Sequence, residues 1–278
     1  MDPVALTALL VAAVRAREHQ RPDRLFSDPF AAALAGERGA MLLADTESDS
    51  GDTLSNPYLS IRVRFFDDLL LEAVSSAGAQ QVVLLAAGMD TRAFRLPWPA
   101  GTEVYELDRP EVLAGKDAIL ESMGAVPRCT RHRLGVDLAR PWGQALQDAG
   151  FDRHAPSIWL AEGLFQYLDD AAVRHVVSQT AQLAAPGSVL GANLISAAFL
   201  AHPASQSFRD AFARLGAPWQ WGTDEPEDFF ARYGWRATVT IPGQDGANFG
   251  RWPWPITRDP GALRVFLVTA RRSGVSRW

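Results

Sequence analysis

The stretch Gln81–Arg95, QVVLLAAGMDTRAFR, constrains the fold of this chain more than any other. Residues 81–87 form a near-continuous apolar run, the pattern of a strand buried on both faces of a parallel sheet. Gly88 ends the run, and Asp90-Thr91 open a short helix. Strand, glycine turn and helix N-terminus in that order build the ligand crevice of open α/β sheets. Glycine lets the backbone approach a ligand closely, and Asp90 is placed as an N-cap that leaves neighbouring N–H groups for an anion. An ordinary strand-to-helix turn produces the same pattern, so this segment alone leaves both readings open.

The next strand narrows the choice. Glu103–Leu107 reads as a second short strand, and Asp108 stands at its end, roughly 20 residues past the glycine turn, where an acidic side chain accepts hydrogen bonds from ribose hydroxyls. The loop after the first strand has one glycine where the dinucleotide fingerprint has three, and an acidic residue follows it. A ribose-bearing cofactor without a diphosphate fits this better than a dinucleotide, and S-adenosylmethionine is the common one.

Four segments then carry a specific resemblance: IRVRFFDDLL (61–70), LLAAGMDTRAFRL (84–96), YELDRPEVLAGKDAIL (105–120) and WLAEGLFQYL (159–168). In this order they resemble the leucine carboxyl methyltransferase family, in particular its bacterial polyketide O-methyltransferase branch, similar to the tetracenomycin carboxyl methyltransferase. The likeness extends from RAREHQRPDRLFSDPFAAAL to FLVTARR, over most of the chain. It implies a Rossmann-like class I methyltransferase fold: a mostly parallel seven-stranded sheet with helices on both faces and an N-terminal helical cap. It also implies S-adenosylmethionine as cofactor and an oxygen acceptor. Carried over residue by residue, it places Ala87, Gly88 and Asp90 in the cofactor loop and gives the methionine carboxylate to Arg62. It gives the adenine to Asp137 and Leu138, beside the ribose role already read for Asp108; Glu162, at the end of the strand 157–161 on the same sheet edge, reads either as a group near the cofactor or as the salt-bridge partner of a neighbouring arginine. The family usually has Gly-Ala-Gly where this chain has Ala86-Ala87-Gly88, and it commonly follows Asp-Leu with Arg where this chain has Ala139.

Composition sets outer limits. The 278 residues are enough for one well-buried α/β domain with an appended cap. A net charge of −5 argues against nucleic acid as the main partner, because phosphate binding needs a basic face. Cys129 is the single cysteine, so no internal disulfide and no thiolate metal site is expected, in keeping with a reducing cytosol. The apolar run Val4–Val14 is too short to span a bilayer, and no cleavage site follows it, so neither membrane association nor a signal peptide is expected. No metal-ligand spacing and no Gly-x-Ser-x-Gly elbow occurs. The oligomeric state has no signature. Of the nine Trp, most are expected to pack in the core, although an aromatic pocket for a flat or apolar acceptor is the alternative for the late ones, Trp219, Trp221, Trp235, Trp252 and Trp254.

Along the chain, residues 1–17 have helical spacing, followed by a proline-marked loop and a short Ala-rich helix ending near Gly36. Residues 44–57 are acidic and turn-rich, which predicts a mobile loop, either part of a lid or an ordinary surface loop. A helix runs from Asn56-Pro57 to about Val74, with Arg62 and Arg64 on different faces. Helices over 110–123 and 171–184 alternate with strands over 130–136, 157–161 and 188–195. A helical segment over 196–215 is interrupted by Pro203, and strands over 235–241 and 263–270 form a final antiparallel pair around the loop 242–260. The economical organisation is a single domain, with residues 1–56 as the cap and 57–278 as the Rossmann-like core.

Methyl transfer from a sulfonium is favoured by a dry site that holds donor and oxygen in line. A carboxylate acceptor is ionised at neutral pH and needs only a residue to orient it: Tyr167 first, then Arg251. A phenol needs a base, for which His202 is the candidate. The small-molecule acceptor is expected to be the carboxylate of an aromatic or polyketide-like secondary metabolite. The alternatives are a phenol, or a binding protein that keeps the fold without methylating.

Overall fold

The computed structural model describes residues 3–50, 57–256, 259 and 261–274. The chain opens with α1 (Pro3–Gln20), α2 (Ala31–Ser50) and α3 (Tyr58–Ala77), and then alternates. β1 (Gln81–Leu85) is followed by the single-turn α4 (Arg92–Arg95), β2 (Glu103–Asp108), α5 (Pro110–Ser122) and β3 (Thr130–Gly135). After α6 (Gly143–Asp148) come β4 (Ser157–Ala161), α7 (Asp170–Leu183) and β5 (Val189–Ile195). α8 (Ala197–Ala201), α9 (Gln206–Arg214) and α10 (Pro226–Ala231) precede β6 (Trp235–Thr240) and β7 (Val265–Arg272).

The seven strands form one sheet in the order β3-β2-β1-β4-β5-β7-β6. β1, β2, β3, β4 and β5 pair in parallel, and β7 runs antiparallel between β5 and β6. The order reverses at β1, so the ends of β1, β2 and β4 open a crevice at the switch point. Side chains alternate between two cores, as strand geometry requires. Val83, Leu85, Trp159 and Ala161 join Val173, Val176 and Val177 of α7 on one face. Val82, Leu84, Ile158 and Leu160 join Ile61, Phe66 and Leu70 of α3 on the other. The central strands β1, β4 and β5 are buried throughout, which explains their uninterrupted apolar sequence.

Three expectations are corrected. The first strand stops at Leu85 instead of Ala87, because Ala86 turns to φ 54° and leaves the extended region. The Ala-rich helix does not end at Gly36. That glycine (φ 56°, ψ −171°) only kinks α2, which resumes and buries Leu42 beside Leu10 and Phe212. Residues 44–50 are therefore helical and not loop, while 51–56 lie outside the described residues. No helix among the described residues is long and apolar enough to cross a membrane.

α3 crosses β5 closely at Gly191, where a Cβ would stand 2.8 Å from Leu69 Cδ2 and 3.1 Å from Phe66 Cδ1. Phe66 is fully buried and has little room to retreat. Gly191→Val is expected to destabilise the fold by about 1–3 kcal/mol through overpacking, read as a lower denaturant midpoint at unchanged slope. A midpoint equal to that of the wild type contradicts the packing described.

Candidate active site

A cavity of about 680 Å³ lies over the carboxyl ends of β1, β2, β4 and β5, roofed by α1 and bordered by α3. Its floor is set by one pair of contacts. The Asp108 carboxylate at the end of β2 accepts from Gly88 N through Oδ2 and from Arg109 N through Oδ1, each at 2.7 Å. Gly88 (φ 47°) is in the left-handed region, and a Cβ there would stand 3.3 Å from the Ala8 Cβ of α1. Ala86 shares that backbone region at φ 54°, which gives a physical reason for glycine being usual at its position. Burial pushes the Asp108 carboxyl above its ordinary value despite the two N–H donors.

Beside this loop lies a buried ionic network. Arg62 Nε donates to Glu162 Oε1 at 2.8 Å, and Arg92 Nη1 lies 2.8 Å from Glu162 Oε2. Arg92 also binds Asp67 at 2.7 Å and the Asp90 carboxylate. Asp67 is shared with Arg95 at 2.6 Å. From α1, Arg15 donates to Met89 O at 2.6 Å and faces Asp28 at 3.5 Å, while Asp28 accepts from Thr91 Oγ1 at 2.7 Å. Arg62, buried in the network, and Arg64, paired with Asp68 at the surface, do lie on different faces of α3.

Asp90 departs from the role expected of it. α4 is a single turn with Thr91 at its N-cap position, and Asp90 Oδ1 accepts from Arg92 N at 2.6 Å. With Gly88 N given to Asp108 and Arg92 N to Asp90, these donors are spent on carboxylates and not kept for an anion.

The far end of the cavity is different in kind. Tyr167, on the 3₁₀ turn Phe165–Tyr167, lines it with Phe199, Phe208, Phe212 and Trp219. Burial pushes the Tyr167 hydroxyl upward, against the influence of Thr7, Trp219, Arg62 and Gln166.

The family model described as leucine carboxyl methyltransferase matches residues 8–181. A Saccharopolyspora erythraea protein assigned as an S-adenosyl-L-methionine-dependent methyltransferase is 39% identical over 97% of this chain and 96% of its own length. The chain belongs to the leucine carboxyl methyltransferase family. A Parafrankia protein assigned the same activity is 46% identical over 67% of this chain, a match that spans 62% of that relative's length. The crystal structure of a DUF574 family protein from Streptomyces avermitilis superposes with a TM-score of 0.62 at 14% identity, over 96% of this chain and 97% of that one. That likeness concerns the fold alone.

Members of this methyltransferase family use S-adenosylmethionine, and the cavity's donor set suits that molecule. Each Asp108 oxygen takes one backbone N–H and keeps a further lone pair for a sugar hydroxyl. Arg62 supplies a cation, and Glu162 Oε2 is buried and receives no hydrogen bond among the described residues, which suits an ammonium. Arg62, Ala87, Gly88, Asp90, Asp108, Asp137, Leu138 and Glu162 all line the one cavity, as does Tyr167.

Two nominated residues do not. Arg251 lies outside the lining because Glu18 of α1 (3.1 Å) and Asp23 claim its guanidinium. His202 is exposed and caps the turn Pro203–Ser205, its Nδ1 accepting from Ala204 N at 3.1 Å. Sequence reading missed Arg15, Tyr58, Arg92, Asn193 and Gln166, which also line the cavity. Arg92 stands in the DTRAFR segment directly after the glycine turn, and that position was the one signal the sequence held for it. Among the late tryptophans, Trp219 and Trp252 line the cavity, Trp221 and Trp235 belong to the core, and Trp254 is exposed.

The ionic network predicts an acid response. Burial opposes ionisation of Asp90, but Arg92, Arg95 and Arg15 outweigh it and hold its carboxyl at about 2, below the ordinary 3.8. Because the folded value is the lower one, ionised Asp90 adds stability above about pH 4 that is lost as pH falls toward 2, in total about 2 kcal/mol. Asp90→Asn is expected to flatten the stability curve over pH 2–4 and to lower the plateau at neutral pH. Equal acid slopes for the two proteins in denaturant titrations contradict this.

Proposed function

We propose that this family member methylates the carboxylate of a small molecule with an aromatic or polyketide-like body, giving a methyl ester. The observation that carries the reading is the make-up of the acceptor end. Tyr167 and four other aromatic rings line it, and the described lining residues include neither His nor Lys. The lining carboxylates Asp90, Asp108 and Glu162 are engaged by arginines or backbone N–H groups, and with no imidazole or amine beside them the cavity favours an acceptor that arrives already ionised, as a carboxylate does at neutral pH.

S-adenosylmethionine supplies an electrophilic methyl group on a sulfonium. Asp108, Arg62 and Glu162 are the residues suited to fixing its sugar and amino-acid portions against the strand ends. The aromatic walls keep water from the acceptor oxygen, which leaves an anionic nucleophile poorly solvated and reactive. Tyr167, its hydroxyl kept protonated by burial, donates to the carboxylate and aims it. Alignment of this kind supplies about 7–11 kcal/mol in intramolecular models.

A phenol acceptor is the second reading, and the position of His202 outside the cavity weighs against it. A binding protein that keeps the fold without methylating is the third, suggested by Ala86. Its left-handed φ of 54° costs about 1–3 kcal/mol, yet the chain adopts it and leaves the cavity open.

Isothermal titration with S-adenosylmethionine, followed by methyl-labelled turnover on a panel of aromatic acids and phenols, separates the three. Heat and labelled esters are expected. Asp108→Ala should abolish measurable cofactor binding, whereas Tyr167→Phe should keep it and lower turnover of the acids. Label on phenols alone overturns the carboxylate assignment, and absence of heat overturns methyl transfer.

A further inference from the structure

The connector between α9 and α10 is latched onto the turn that carries Tyr167. Gln220 N donates to Gln166 O at 2.7 Å, and Gln220 Nε2 donates to Tyr167 O at 2.8 Å. These two bonds bring the preceding residue, Trp219, edge-on to the Tyr167 ring, with centroids 6.3 Å apart and planes at 88°. Trp219 is itself wedged among Phe208 (4.9 Å), Phe199 (5.4 Å) and Phe212 (5.4 Å), so its plane is fixed by three further rings. Tyr167 also packs on Phe212 at 6.5 Å. From the roof, Thr7 of α1 is buried, lines the same cavity and acts on the Tyr167 hydroxyl.

We propose that Trp219 and Gln220 are positioning residues that hold the Tyr167 hydroxyl at the acceptor end of the cavity. The argument is one of degrees of freedom. A tyrosine on a three-residue 3₁₀ turn has few backbone constraints of its own, because such turns make few hydrogen bonds. The clamp adds two hydrogen bonds to that backbone, and the Trp219 edge adds a directional ring contact of the kind aromatic pairs prefer. Gln220 is exposed, so it contributes little to the core. Its two bonds are spent on the site. The inference rests on the assignment of Tyr167 to the acceptor, and it says how that hydroxyl is kept in register.

Two measurements test it, and they fail separately. The chain has four tyrosines. In protein labelled with 3-fluorotyrosine, the Tyr167 fluorine resonance is identified by its absence in Tyr167→Phe. Gln220→Glu keeps the side-chain size and removes the N–H donor, and Trp219→Phe keeps a ring and removes the indole. Both are expected to move or broaden the Tyr167 resonance while leaving the other three in place. An unmoved Tyr167 resonance in both variants overturns the positioning role.

The second measurement uses naphthalene-2-carboxylate, titrated into protein saturated with S-adenosylhomocysteine. Gln220→Glu is expected to weaken its binding about 3- to 10-fold, the effect of one lost or misaligned hydrogen bond, without altering cofactor affinity. The same change in a Tyr167→Phe background is expected to add nothing, because the two act through one hydroxyl. Additive effects overturn the proposal. If Tyr167→Phe itself leaves binding of the naphthoate unchanged, the acceptor assignment falls while the fluorine result still stands on its own.

Discussion

Arg92 is the interaction on which the rest of the site depends. It is almost fully buried, and it ties Asp67 of α3, Asp90 of the glycine loop and Glu162 at the end of β4 to a single guanidinium. Around it, Arg15, Arg62 and Arg95 complete four cations against the four carboxylates Asp28, Asp67, Asp90 and Glu162, so the network is balanced. Such a cluster is a poor source of net stability, because desolvating each ion costs several kcal/mol that the pairing only returns. Removing one member is another matter: it strands a buried charge, and losses of about 3–5 kcal/mol are usual. The network therefore acts as a lock. It lets α1, α3, the glycine loop and β4 meet in one arrangement, and that arrangement forms the cavity.

The same lock accounts for Glu162. A carboxylate at the buried end of a central strand needs partners, and a salt bridge to an arginine explains it without any ligand. Two arginines supply that pairing here. Arg62 takes Oε1 in a hydrogen bond, and Arg92 neutralises Oε2 without directing a hydrogen bond at it. Charge balance and an acceptor atom without a hydrogen bond coexist at this one residue.

How much of this was legible in the sequence depends on how local each constraint is. β1, the glycine loop and Asp108 were readable because a buried parallel strand, a tight turn and an acidic strand end each leave a signature within a few residues. The 3₁₀ turn with Tyr167 follows β4 directly, and its placement came with the strand. Arg251 and His202 were misplaced for the converse reason. Nothing in FGRWPWP announces that Glu18, far away in the chain, holds its arginine. Nothing in the sequence around Pro203 separates a histidine that caps a turn from one that faces a cavity. The helix through 44–50 was missed because its acidic, polar composition mimics a loop, whereas its register was set upstream by Leu42 packing on Leu10.

The cavity is divided by charge, and that division follows from chain topology. Its ionic end is built from strand ends and α3, whose side chains the buried network fixes. Its acceptor end is built from α1, the 3₁₀ turn and the segment between β5 and β6, where the sheet has turned antiparallel and the connections are longer. Charges at the first end are matched within the protein, so they hold a fixed field at little reorganisation cost. The second end offers rings and hydroxyls in place of charges. Arg62 and Tyr167 mark the boundary between the two ends, and Phe199, Phe208, Phe212 and Trp219 give the second its apolar wall.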